Sequence, residues 1–221
     1  SAVLSISARG MVVPRLNGKP VSDDMFAPEY TDYAKRIQYR TYDVARLLKR
    51  GGNTLGAVVG DGWYTGYIGI IMIRDFYGPR TGLLADLRIQ YTDGTRDVIA
   101  TDAAWRCAEG PIISSDMLLG ENYDARRDMP GWDRPGFDDS GWKNSEVLEP
   151  TDAVLTAQPS QPVRIVDSLK PVAVTEPKPG VFVFDMGQNF AGWARLTVKG
   201  PAGTMVTLRF AEMVNPDGTI Y

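Results

Sequence analysis

The segment Gly60-Asp-Gly-Trp-Tyr-Thr-Gly66 carries the most distinctive local chemistry in the chain. Glycines on either side of Trp63 and Tyr64 let the backbone turn sharply and leave ring faces open. Flat apolar faces beside hydrogen-bonding groups are what sugar rings stack on. Aromatic residues continue at Tyr67, Phe76 and Tyr77. The same rings also suit a structural task, with Trp63 plugging a sandwich core at a strand end. A second cluster is Gly120-Glu-Asn-Tyr-Asp-Ala-Arg126, with Arg127 and Asp128 beyond it. Its carboxylates, Glu121 and Asp124, are of the type that forms an acid/base dyad or supplies oxygen ligands to calcium. With Arg126 close by they equally suit an arginine–carboxylate network that fixes a loop. Inverting hydrolysis of a glycoside needs carboxyl groups about 6.5–9.5 Å apart across the sugar, a geometry that sequence spacing does not supply. Asp23-Asp24 and Asp138-Asp139 read as turn and capping residues, because neither fits the spaced acidic loop of an EF-hand. Glu212, at the end of an apolar run, has no partner that the sequence assigns.

Composition narrows this chemistry. The chain has 221 residues, no His and one Cys, with 24 Lys+Arg against 27 Asp+Glu. Without imidazole there is no Ser-His-Asp or Cys-His pair and no His metal ligand, which leaves carboxylates, Lys, Tyr and backbone groups. Cys107 alone makes neither an internal disulfide nor a multi-thiolate zinc site. A net charge of -3 with interspersed signs gives no basic footprint for nucleic acid or anionic lipid. The apolar run Tyr67–Ile73 is far short of the roughly 20 residues that span a bilayer. Neither nucleic acid nor membrane is expected as a partner. One cysteine is compatible with the cytoplasm, the periplasm or the exterior, so localisation stays open.

The elements that must position these groups read mostly as strands. Ala85, Leu87, Ile89 and Tyr91 alternate with polar residues and end at Asp93-Gly94, a tight-hairpin signal, with Thr95–Thr101 returning. Met11–Leu16 runs into Asn17-Gly18, with Lys19–Val21 returning, and Pro14 and Pro20 place those strands at an edge. Further strands are expected at Ile37–Tyr42, Thr54–Val59 and Trp105–Ala108. One short helix is expected, Val44–Arg50, with Asp43 as its N-cap and Gly51 stopping it. The result is an all-β reading, with one short helix among β-sandwich strands. Six of fifteen prolines lie from Pro150 to Pro179, a stretch better suited to an extended connection than to sheet. Strands at Val181–Phe184, Ala194–Lys199 and Met205–Phe210 follow. The reading is of two jelly-roll-like units, a sandwich over 1–150 and the first part of a second over 151–221, incomplete at its C-terminus. The opening, without an initiator Met, reads as starting inside something longer.

The order of these pieces resembles a family. Leu16-Asn-Gly18, Ala27-Pro-Glu-Tyr-Thr-Asp-Tyr33, Ile37-Gln-Tyr-Arg-Thr-Tyr-Asp-Val44, Asp61-Gly-Trp-Tyr64, Tyr91-Thr-Asp-Gly94, the Gly120–Arg126 segment and Gly131-Trp are similar to the N-terminal β-sandwich of bacterial α-L-rhamnosidases, glycoside hydrolase family seventy-eight. Phe184-Asp-Met-Gly-Gln-Asn-Phe-Ala-Gly-Trp193, Arg209-Phe-Ala-Glu212 and Asn215-Pro-Asp-Gly-Thr-Ile-Tyr221 resemble the second sandwich, which leads into the catalytic domain. The resemblance implies enzymes that hydrolyse terminal α-L-rhamnosides with inversion, using carboxylates on a downstream (α/α)₆ barrel. On that basis the chain holds no catalytic residue and scaffolds the barrel, its own downstream partner. In some relatives the first sandwich binds rhamnose with calcium. The resemblance implies a carbohydrate partner; Asp32, Trp63, Tyr64 and Asn122 are candidate binding residues as a hypothesis, with no position-by-position carry-over from the family. Glu121, Asp124 and Arg126 are then loop-fixing or interface residues. No cofactor is required, calcium is compatible, and no metal ligand is assigned. The chain departs from the family pattern at Met11-Val-Val, at Pro28-Glu-Tyr30 and in the apolar stretch Ile68–Phe76.

Overall fold

Alternation at the start of the chain sets the core. In the computed structural model, which describes residues 1–221, strand β1 (Ala2–Arg9) buries Ala2, Leu4, Ile6 and Ala8 and turns Val3 outward. β2 (Met11–Leu16) and β3 (Lys19–Pro20) follow, joined by Asn17 and Gly18 at φ 55° and 83°, the left-handed pair a two-residue hairpin turn requires. Next come β4 (Arg36–Asp43), β5 (Leu55–Gly60), the helix α1 (Gly62–Thr65), β6 (Gly82–Gln90), β7 (Arg96–Ala100) and β8 (Arg106–Cys107). β9 (Ile112–Asp116), β10 (Gly120–Tyr123), β11 (Lys143–Asn144) and β12 (Val154–Ala157) complete a compact unit, Ser1–Arg164.

Five strands form one sheet in the order β12-β4-β1-β6-β7, and three form another in the order β3-β2-β5. β1 is central, antiparallel to β4 and β6, while β12 joins β4 in parallel. The inward faces meet in one core, where Leu4, Ile6, Ala85 and Leu87 pack with Val12, Leu16 and Val44, and Leu55, Ala57 and Val59 lie against them. Each fully buried Leu, Ile or Val side chain contributes about 1.5–3 kcal/mol. The all-β reading holds. A smaller core gathers Tyr33, Ile37, Tyr64 and Ala153, with Trp63 and Tyr77 packed against it.

Asp24 ties the end of this unit to its sheet. Its buried carboxylate meets Arg40 of β4 at 3.1 Å, the Tyr42 hydroxyl at 3.1 Å and Arg164 at 2.9 Å. The unit therefore runs to Arg164, past the proline at 150 where composition shifts.

The second compact unit, Ile165–Tyr221, contains a hairpin of β13 (Ala173–Lys178) and β14 (Val181–Asp185). A bridge between Val214 and Ile220 and an ion pair of 3.6 Å between Lys178 and Asp217 add to it.

Local expectations differ from the structure in three places. Val44–Arg50 is a single 3-10 turn at Ala45–Leu47, where Asp43 accepts from the Ala45 amide. The one α-helix is instead the four-residue α1 in the glycine-bracketed Trp-Tyr motif. Ala194–Lys199 and Met205–Phe210 form no strands, and Leu196, Val198, Leu208 and Phe210 stay exposed. Apolar alternation without a neighbouring strand makes no ladder. Pro14 lies on β2, the middle strand of its sheet rather than an edge. Its carbonyl accepts from Val21, and a strand residue's two backbone groups point the same way. The missing N–H thus falls on the flank where β3, pairing only at Arg15 and Leu16, has ended.

Candidate functional site

Helix α1 exists because its glycines allow it. Gly62 has φ 54°, and a Cβ there would sit 2.7 Å from Met11 Cγ. Thr65 bonds back to Asp61, whose own amide donates to Ser115 Oγ of β9 at 2.9 Å. Asp116, also on β9, accepts from the amides of Tyr67, Leu118 and Leu119 at 2.6, 2.7 and 2.8 Å. Burial alone would push its carboxyl up. The three amides and the charge of Arg74 outweigh burial and hold it below the ordinary aspartate range. The turn is thereby pinned with Tyr64 buried and Trp63 half-buried.

Around it stands a cluster of rings. Tyr33 lies 5.5 Å from Tyr64 and 5.0 Å from Tyr77, Tyr30 lies 5.7 Å from Trp63, and Phe76 lies 4.8 Å from Tyr77, all measured between centroids. The hydroxyls of Tyr30 and Tyr77 are 3.0 Å apart. Tyr30, Asp32, Tyr33, Tyr64, Phe76 and Tyr77 line an open depression of about 750 Å³. Lys35 pairs with Asp32 at 3.0 Å, and its hydrogen bond holds the Asp32 carboxyl below the usual range. Burial, aided by the neighbouring Tyr30 and Tyr77, pushes the Tyr33 phenol far up; burial and the hydrogen bond with Tyr30 do the same to Tyr77. Both phenols stay protonated at any physiological pH. The Tyr33 hydroxyl is buried without a hydrogen-bond partner. Flat rings, neutral phenols and one anionic acceptor can stack on and hydrogen-bond a polyol. Asp32 is the one carboxylate in the lining, so the depression holds no acid/base pair.

The remaining candidates lie elsewhere. Asn122 sits on β10, its amide donating to Ser114 Oγ at 2.8 Å, outside the lining of the depression. Asp124 caps the turn Ala125–Arg127 and takes the Arg126 guanidinium in a two-pronged bond at 2.8 and 2.7 Å. Glu121 is exposed on β10, opposite Ser115 of β9. No three His, Cys, Asp or Glu side chains converge so as to hold a metal. The sequence reading named Asp32, Trp63 and Tyr64, with Phe76 and Tyr77 continuing the aromatic run, but did not join Tyr30 and Tyr33 to them. The signal was the pair of tyrosines flanking Asp32 in Tyr30-Thr-Asp-Tyr33, which puts rings on either side of a carboxylate.

Comparison with known proteins bears on the whole chain. Residues 1–167 match the alpha-L-rhamnosidase N-terminal domain. The chain belongs to that family. Residues 175–221 match the bacterial alpha-L-rhamnosidase concanavalin-like domain. An alpha-L-rhamnosidase of Streptomyces avermitilis is 49% identical over the full chain, which spans 21% of that protein. One from Formosa agariphila is 36% identical, and the chain spans 24% of it. Among solved structures, the S. avermitilis alpha-L-rhamnosidase complexed with L-rhamnose superposes with a TM-score of 0.92 over 100% of this chain and 21% of that one. Native alpha-L-rhamnosidase from Aspergillus terreus superposes with a TM-score of 0.88 at 38% identity, over 100% of this chain and 26% of that one. This rhamnosidase-family chain thus corresponds to about a quarter or less of the relatives it matches. No helix in it is long and apolar enough to cross a membrane.

Proposed function

We propose that the chain is the non-catalytic N-terminal region of an α-L-rhamnosidase, an enzyme that hydrolyses terminal α-L-rhamnosides, and that it scaffolds a catalytic barrel carried elsewhere in the longer protein. The observation that carries this reading is the match of two successive rhamnosidase domains, in order, along nearly all of the chain. The chemistry supports it. Acid/base glycoside hydrolysis uses two carboxyl groups flanking the bond, whereas the ring-lined depression offers Asp32 alone and Asp124 is engaged by Arg126. The purified chain, incubated with p-nitrophenyl α-L-rhamnoside, is expected to release no nitrophenol above the uncatalysed rate. Enzyme-like turnover abolished by Glu121→Gln would overturn the reading.

The depression favours a second role, binding of a terminal rhamnose. Tyr30 and Phe76 offer exposed rings beside the buried Tyr33 and Tyr64, and Asp32 accepts from sugar hydroxyls. Calcium, which takes about 6–8 oxygen ligands, finds one carboxylate in this lining. Binding is therefore derived from the rings and Asp32 without it. Calorimetry with L-rhamnose, in calcium and in EDTA, tests both points. Heat at millimolar sugar supports the site, its loss in EDTA brings calcium in, and no heat in either leaves scaffolding alone.

A further inference from the structure

Beside the ring-lined depression lies a second one, of about 550 Å³. The two share Tyr30, Ile68 and Phe76 as a common wall, but their chemistry differs. The first carries phenol hydroxyls and the Asp32 carboxylate. The second is completed by Trp63, Ile70, Ile71 and Ile73 and has no charged side chain. Ile70 and Ile71 are 100% and 74% exposed, yet the loop presenting them is closely tied. Ile68 and Ile73 exchange backbone bonds of 2.9 and 3.1 Å, and Met72 donates to the Gly69 carbonyl at 3.2 Å. Met72 holds φ at 52°, a left-handed conformation unusual for a side chain of its kind. Just beyond the loop, Arg74 lies over the Tyr67 ring, 5.7 Å from its centroid, and pairs with Asp61 at 3.4 Å.

A tied loop holding isoleucines in water forgoes burial that an apolar ligand would restore. We propose that this groove is an aglycone subsite, taking a planar apolar group carried on the anomeric oxygen of the sugar held next door. The inference rests on the rhamnose-binding reading above. Continuity and size argue for this occupant. Tyr30 lines both depressions, so a ligand leaving the polar one enters the apolar one directly. The groove volume also falls in the range of small-molecule sites, about 300–1,000 Å³. A glycoside with an aromatic aglycone has the same two halves, polar and apolar, joined by one oxygen.

Calorimetry on the intact chain with methyl α-L-rhamnoside, p-nitrophenyl α-L-rhamnoside and p-nitrophenol tests the proposal. The aryl glycoside is expected to bind about tenfold more tightly than the methyl glycoside. Ile71→Ser, at an exposed position that does not serve the core, is expected to bring that ratio toward one. Equal affinities for the two glycosides would overturn the aglycone subsite and leave the sugar site standing. A tenfold ratio unchanged in Ile71→Ser would place the ring elsewhere and overturn it as well. No heat from the methyl glycoside, with the aryl glycoside binding no better than nitrophenol, would remove the sugar site and the subsite together.

Discussion

Tyr33 is a residue of the ring cluster whose buried hydroxyl lacks a partner. It is 2% exposed and its hydroxyl has no hydrogen bond within the protein, a state that leaves a desolvated polar group uncompensated. Tyr33→Phe is expected to raise stability by about 1–3 kcal/mol in urea unfolding, because it removes a desolvated hydroxyl that makes no bond. If that hydroxyl serves the sugar, the same variant weakens rhamnose binding in calorimetry; unchanged heat would make it a packing residue only. Asp116 gives a pH prediction. Its folded value lies below the ordinary one, so its contribution to stability is complete above about pH 4 and fades as pH falls through the folded value. Asp116→Asn is expected to lower stability at pH 7 and to flatten the acid limb of the stability curve. Parallel curves for the two proteins would show that the carboxylate contributes nothing to that limb. At this scale sequence and structure agreed where a residue's neighbours were also its neighbours in the chain. Asp124 with Arg126 was legible for that reason. Tyr33 with Tyr77 was not, because the contact spans β4, β5, α1 and the segments joining them.

Among elements, period-two alternation served well wherever a strand found a partner. β6 lies where alternation put it and β7 where the hairpin returns, and both hairpins turn at the Asn-Gly and Asp-Gly pairs. It misled at Ala194–Lys199 and Met205–Phe210, since alternation reports a face to be buried and not whether a neighbour exists to bury it. β12 was missed for a related reason. Val154–Ala157 has no alternation of its own, and its place is set by the parallel ladder to β4. The Asp24 cluster holds the segment that follows. Asp24→Ala strands Arg40, whose side chain is 12% exposed, and releases Arg164. A loss of about 3 kcal/mol is expected in urea unfolding, in line with removing one member of a buried ion pair. A loss under about 1 kcal/mol would mean that Arg40 finds water instead.

For the whole molecule, the first unit contains both the sheet core and the ring cluster, and residues beyond 150 contribute to each. Ala153 packs with Tyr33, Ile37 and Tyr64, and Arg164 reaches Asp24. A chain shortened to 1–167 is expected to unfold in one cooperative transition. One shortened to 1–150 is expected to melt several degrees lower, because each lost kcal/mol shifts a domain of this size by about 2–4 °C. Equal melting temperatures would show that β12 and the Asp24 clamp are dispensable. The order of synthesis gives the central position of β1 another meaning. Its partner β6 begins at Gly82, more than seventy residues on, so β1 waits for a distant strand. β4 waits longer still for β12. On the ribosome, the nascent chain therefore carries the central strand of its sheet without its full set of neighbours until the Gly82–Gln90 segment has emerged, and the sheet is complete only after Ala157. Such non-local pairing folds slowly, in milliseconds to seconds. The interval is one in which chaperone binding and aggregation compete for β1.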